Sequence, residues 1–189
     1  AARGFRGLFG LDFVMDERTG VPCAVDLNPR WQASTSLQAQ AERRSGRAPL
    51  AAVEIAYQAG LVSGREVMEL AGAFFEPFEG SQVFPRNFSD GFRKTLATID
   101  AGVYSPLMEY LRPGLRLHEL ASPEEILVNG GIPRPGRPLA PGATLVRMCS
   151  LRAAVDPGSG KLQPWVEEAV RGLYGMLELE RAEAEHRRS

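Results

Sequence analysis

The chain has 189 residues, 44% hydrophobic and 24% charged, which is enough apolar material for a packed core and excludes wholesale disorder. Its 22 basic and 23 acidic side chains leave a formal charge of −1, so nothing electrostatic attracts nucleic acid or an anionic membrane. No apolar run approaches the roughly 20 residues that cross a bilayer, and two cysteines without a C-x-x-C point to a reducing, cytoplasmic setting.

In chain order, residues 8–15 (LFGLDFVM) and 22–28 (PCAVDLN) are expected as two strands, with ERTGV between them as a hairpin loop of about five residues. Leu11, Phe13 and Met15 form one apolar row, and Cys23, Val25 and Leu27 form its counterpart. Asp12 lies on the opposite face of the first strand, Asp26 and Asn28 on that of the second. A helix is expected over residues 36–44, capped by Ser34 or Thr35 and ended at Gly46. A second, over 49–59, opens on proline and stops at Gly60, with Ala51, Ala52, Ile55 and Ala59 as its apolar face.

Glycine (20) and proline (14) exceed ordinary usage and concentrate after residue 75, so short strands and turns are expected at 74–78, 82–85, 126–129 and 144–151. GGIPRPGRPLAPG (130–142) is expected as an ordered loop between strands, because proline removes backbone donors. Residues 165–180 suit an amphipathic helix with Val166, Val170, Leu173 and Leu177 on one face, and RAEAEHRRS a fraying tail. The expected organisation is three segments: 1–70, a turn-rich β region at 71–160, and a closing helix and tail at 161–189.

The hairpin carries the chemistry. Aligning its apolar rows requires paired residue numbers with an even sum. A sum of 38 pairs Leu11 with Leu27, Phe13 with Val25 and Asp12 with Asp26, whereas 40 sets Asp12 against Asn28. Facing carboxylates repel unless something positive lies between them. Asn28 adds a neutral oxygen, and Arg30 a planar fork for phosphate or carboxylate. Oxygen-only ligands suit Mg²⁺, which takes the rest of its shell from water and phosphate. Spacing alone admits both a nucleotide-phosphate site and a solvent-facing hairpin with scattered acids.

G-L-F-G-L-D-F-V-M-D (7–16) followed by A-V-D-L-N-P-R (24–30) resembles the ATP-grasp superfamily. W-Q-A-S-T-S-L (31–37) resembles the run after the arginine in its carboxylate–amine ligase branch. G-I-P-R-P-G-R-P-L-A-P-G-A-T-L-V (131–146) is similar to a loop near the end of some members. The resemblance implies an α/β (α+β) chain forming the C-terminal half of an ATP-grasp domain, with an antiparallel metal-binding hairpin. It implies ATP- and Mg²⁺- (or Mn²⁺-) dependent ligation of a small-molecule carboxylate to an amine through an acyl phosphate. Asp12, Asp26 and Asn28 would then hold the metal ions under ATP, and Arg30 would act catalytically on the transferred phosphoryl group. Trp31, Ser34 and Thr35 would touch substrate near a helix N-terminus. The family usually has glutamate where this chain has Asp26. Neither Lys94 nor Lys161 matches its phosphate lysines, which belong with the adenine-contacting half, so that half is expected in the same or a partner chain. The isolated chain is expected to bind ATP weakly or not at all, and to be inactive. A biotin-carboxylase-like enzyme working through carboxyphosphate, or a non-catalytic ATP-grasp remnant serving as a binding module, are the alternatives.

His118 and His186 lie far apart without cysteine clusters, which disfavours zinc. DPGSGK (156–161) is expected as a turn, and Cys23 and Cys149 as packing residues.

Overall fold

A computed structural model describes residues 7, 9–16, 18–71 and 78–182. The chain is mixed α+β, with four α-helices among the described residues and antiparallel sheets of two, three and five strands. It divides into two compact units, Ala1–Pro77 and Phe78–Ser189.

The first unit opens with the expected hairpin, β1 (Gly10–Met15) and β2 (Pro22–Asn28). Leu8 and Glu17 lie outside the described residues. Asp16 organises the turn: its Oδ1 accepts the Arg18 N–H at 2.8 Å and the Thr19 N–H at 3.3 Å, while its carbonyl accepts the Gly20 N–H at 2.8 Å. Gly20 sits at φ 68°, a conformation that L side chains rarely adopt. Hydrogen bonds from the Thr19 side chain, the Arg18 backbone and the Thr19 backbone hold the Asp16 carboxyl below its ordinary pKa.

Helices α1 (Thr35–Arg44), α2 (Leu50–Gln58) and α3 (Gly64–Ala71) follow. Ser34 is the N-cap of α1 but makes no side-chain capping bond, and Thr35 Oγ1 instead accepts the Gln32 N–H at 3.0 Å. The expected face of α2 is corrected. Val53 is its buried residue and Ile55 is exposed; alanines lie on every side of this short helix, so apolar pattern alone does not select the packed row. Helix α3 was not expected. It begins with a reciprocal cap, in which the Ser63 N–H and hydroxyl donate to Glu66 Oε2 at 2.7 Å and Ser63 Oγ accepts the Glu66 N–H at 3.3 Å.

The second unit is built on a five-stranded antiparallel sheet. Its strands are β3 (Ser81–Val83), β5 (Gly102–Tyr104), β6 (Tyr110–Arg112), β7 (Ile126–Gly130) and β9 (Arg147–Ser150), in the order β3-β9-β7-β5-β6. Ile126, Leu127 and Val128 on central β7 are fully buried, as a strand covered on both faces requires. Helix α4 (Pro164–Leu177) buries Trp165, Val166, Ala169, Leu173 and Leu177 in the core cluster that includes Tyr104, Ile126, Val128 and Met148.

A three-stranded sheet, ordered β10-β4-β8, comprises β4 (Arg93–Thr95), β8 (Pro138–Leu139) and β10 (Leu179–Arg181). The proline-rich loop thus contributes a two-residue strand, placed at a sheet edge where a missing donor does least harm. The expectation of helix to residue 180, with a tail from Arg181, is corrected. Glu178 turns left-handed at φ 48°, and the chain re-enters a sheet as β10. The expected strand at 74–78 lies outside the described residues except Phe78, as does the tail beyond Ala182.

The Arg112–Glu125 pair ties the outer sheet edge to the following loop. Arg112 donates to both Glu125 oxygens, at 2.6 and 2.8 Å, and Glu125 also accepts the Ala121 N–H at 2.6 Å. The Arg112 hydrogen bonds, partly opposed by desolvation, hold the Glu125 carboxyl down at about 2. A depressed carboxylate stabilises fully above its unfolded pKa of 4.5 and loses that contribution as pH falls towards 2. Arg112 is partly water-exposed, so Glu125→Gln is expected to cost about 1–2 kcal/mol at pH 7. The deficit against wild type should shrink as urea melts are taken from pH 5 down to pH 2.

Candidate functional site

The hairpin register explains how the acids meet. Gly10 pairs with Asn28, Leu11 with Leu27, and Asp12 with Asp26, the arrangement expected for a sum of 38. Beyond Asp12 the register shifts. Phe13 pairs with Ala24 and not with Val25, because Val25 is taken up in a β-bulge. The bulge also places Cys23 opposite Val14, on the face of Asp12, so the expected apolar row of Cys23, Val25 and Leu27 is broken. Cys23 is exposed, contrary to its expected packing role, whereas burial pushes the Cys149 thiol up to about 11.

Asp12, Asp26 and Asn28 are brought together. The Asn28 side-chain N–H₂ donates to Asp12 Oδ2 at 3.1 Å and to Asp26 Oδ2 at 3.0 Å, so a neutral amide bridges two carboxylates. A half-turn of that amide would exchange its nitrogen for its oxygen and set three oxygens side by side on one face of the hairpin. This donor set fits Mg²⁺ or Mn²⁺. Among the described residues no group of three or more His, Cys, Asp and Glu is placed to hold a metal ion. The hairpin offers two carboxylates and one amide, so water and phosphate would have to complete the shell.

Immediately after β2 the Arg30 N–H donates to the Asn28 carbonyl at 2.8 Å, a tight turn around Pro29 that ends the strand. Arg30 then lines a small cleft of about 170 Å³ with Phe9, Gly10, Gln32, Ser34 and Thr35, closed by Gln38, Glu42 and the start of α2. Gly10, the pairing partner of Asn28, therefore joins the acid face to this cleft. Trp31 is half exposed and lies outside the lining, so of the three expected substrate residues Ser34 and Thr35 share the cleft.

Two residues of the cleft were missed by sequence reasoning. Gln32 Nε2 is buried with no hydrogen-bond partner among the described residues, and it lies 1.9 Å from where a Cβ on Gly10 would sit. Glu42 is buried in α1, where it accepts the Leu50 N–H at 2.8 Å and a Gln38 side-chain N–H at 3.0 Å. Glu42 thereby caps α2 in the absence of a side-chain cap from Pro49. The four-residue spacing of Gln38 and Glu42 was a readable helical signal, whereas nothing local marks Gln32.

Compared with family models, curated proteins and solved structures, the chain has no match. No helix among the described residues is long and apolar enough to cross a membrane.

Proposed function

We propose that the first unit is the metal- and phosphate-binding part of an ATP-grasp ligase that joins a carboxylate to an amine. The observation that carries this reading is the Asp12–Asp26 pair held in register and bridged by Asn28, with Arg30 two residues beyond. The resemblance of residues 7–16 and 24–30 to that superfamily supports it.

In this reading Asp12, Asp26 and Asn28 hold Mg²⁺, which when bound neutralises charge on the ATP phosphates. The substrate carboxylate oxygen attacks the γ-phosphorus and ADP leaves. The amine then attacks the acyl carbon, phosphate departs, and the amine proton passes to solvent or a base. Arg30 steadies the transferred phosphoryl group by hydrogen bonding and charge. The unpartnered Gln32 N–H is available to an acceptor oxygen of the substrate in the adjoining cleft. Both lysines, Lys94 and Lys161, belong to the second unit, so the lysines and adenine contacts that the resemblance implies come from another segment or a partner chain.

Mn²⁺ titration followed by paramagnetic broadening of backbone amides tests the site. Broadening centred on Asp12, Asp26 and Asn28 is expected, and Asp26→Asn or Asp12→Asn should weaken it by about tenfold or more. Broadening elsewhere, or equal binding by both variants, would remove the metal assignment. ATP-dependent trapping of carboxylic acids as hydroxamates, with Asp26→Asn as control, separates a ligase from a binding module. Metal binding without trapping by the complete protein would favour the module.

A further inference from the structure

The loop preceding β4 in the second unit is held by one buried side chain. Asn87 donates from its amide to the carbonyls of Gly91 at 3.0 Å, Leu139 at 3.0 Å and Ala140 at 3.2 Å. Its oxygen accepts the Ser89 N–H at 3.1 Å and the Ser89 hydroxyl at 2.7 Å. With the loop fixed from inside, Phe88 projects outward and is 78% exposed. The Arg93 Nε–H donates to Ser89 Oγ at 3.0 Å, so the guanidinium is anchored to the same loop.

In the antiparallel β4–β10 ladder Arg93 lies directly opposite Arg181. Like charges so placed oppose the pairing. The adjacent pair in the same ladder is the complementary Lys94–Glu180, bridged at 3.0 Å. Neither Arg93 nor Arg181 has a carboxylate partner among the described residues. Both line a cleft of about 370 Å³ with Phe88, Ser89, Asp90 and Phe92, within the size range of small-molecule sites. Asp90 is the single carboxylate of that lining, so the cleft carries one net positive charge.

We infer that this cleft binds a small organic oxyanion, a phosphate ester or a carboxylate, whose apolar group lies on the Phe88 ring. An anion between the two guanidinium groups replaces their repulsion with charge-assisted hydrogen bonds. The aromatic face supplies apolar contact that a bare inorganic anion does not use. The inference stands in the second unit, and its failure leaves the hairpin reading untouched.

The test compares phenyl phosphate, benzoate, inorganic phosphate and neutral phenol on the full chain, by amide chemical shifts and thermal melting. Phenyl phosphate or benzoate is expected to shift the Phe88, Ser89 and Arg181 resonances and to raise the melting temperature by about 2–4 °C at saturating levels. The better of the two identifies phosphate or carboxylate as the anionic group. Phenol should do neither, and inorganic phosphate should bind more weakly than phenyl phosphate. Exposed Arg181→Gln should melt no lower than wild type without ligand, and should bind at least about tenfold more weakly. Two results would overturn the inference: no shift of these resonances up to about 10 mM of either aromatic anion, or undiminished binding by Arg181→Gln. Equal binding of phenol would do so as well, since it would make the arginines irrelevant.

Discussion

Gly102→Ala is expected to destabilise the second unit by about 3 kcal/mol, lowering its melting temperature by roughly 10–20 °C. Gly102 lies on β5, between β6 and β7, and is buried. A Cβ there would come within 2.5 Å of Tyr110 Cε2 and 2.7 Å of the Arg112 carbonyl oxygen. The ring can rotate away. The carbonyl belongs to the neighbouring strand, so it moves only if the β5–β6 pairing opens. Gly91→Ala, where an added Cβ meets nothing within 4 Å, is the matched control and should stay within about 0.5 kcal/mol of wild type. Urea midpoints of the two variants settle the matter, and similar midpoints would refute the steric argument.

Asn87→Ala carries the second large effect, a loss of about 3–4 kcal/mol. The substitution strips the carbonyls of Gly91, Leu139 and Ala140 of a shared donor and leaves the Ser89 N–H without its acceptor. Asn87→Asp is expected to be nearly as damaging at neutral pH, since it turns a carboxylate towards three carbonyl oxygens. Backbone bonds from the Asn87 N–H to Ala143 and from the Gly142 N–H to Asn87, both 2.8 Å, remain in either variant. Each variant should therefore retain far-ultraviolet dichroism while its urea midpoint falls. A midpoint unchanged in Asn87→Ala would mean that water replaces the amide at little cost.

Which parts of this fold the sequence reveals follows from how local their causes are. The facing of Asp12 and Asp26 was readable because alternation fixes parity, and parity leaves few registers. The bulge at Val25 was not, because it needs no glycine and has no compositional mark. Helix α3 was readable in principle from S-x-x-E at 63–66, a reciprocal capping pattern. Strands β4, β5, β6 and β10 have three residues each, too few for alternation to register. Their existence depends on partners far along the chain. Arg93 and Arg181 meet for the same reason, across 88 residues of sequence, and no local motif announces a cross-strand neighbour. In the candidate hairpin site the acids and the amide were legible as a set. The buried Gln32 N–H depends on how the turn after Pro29 folds back, which spacing does not encode.

The hairpin of β1 and β2 forms a two-stranded sheet with outward edges, and Phe13, Val14, Met15, Val25 and Leu27 on it are each more than half exposed. Such a ribbon has little intrinsic stiffness, since few buried contacts oppose its opening. Its amide protons are accordingly the ones to exchange early, well before those of β7 in the five-stranded sheet. The spacing of the two carboxylates is expected to follow the ribbon, and a metal ion seated between them, as proposed above, would stiffen the hairpin and slow that exchange.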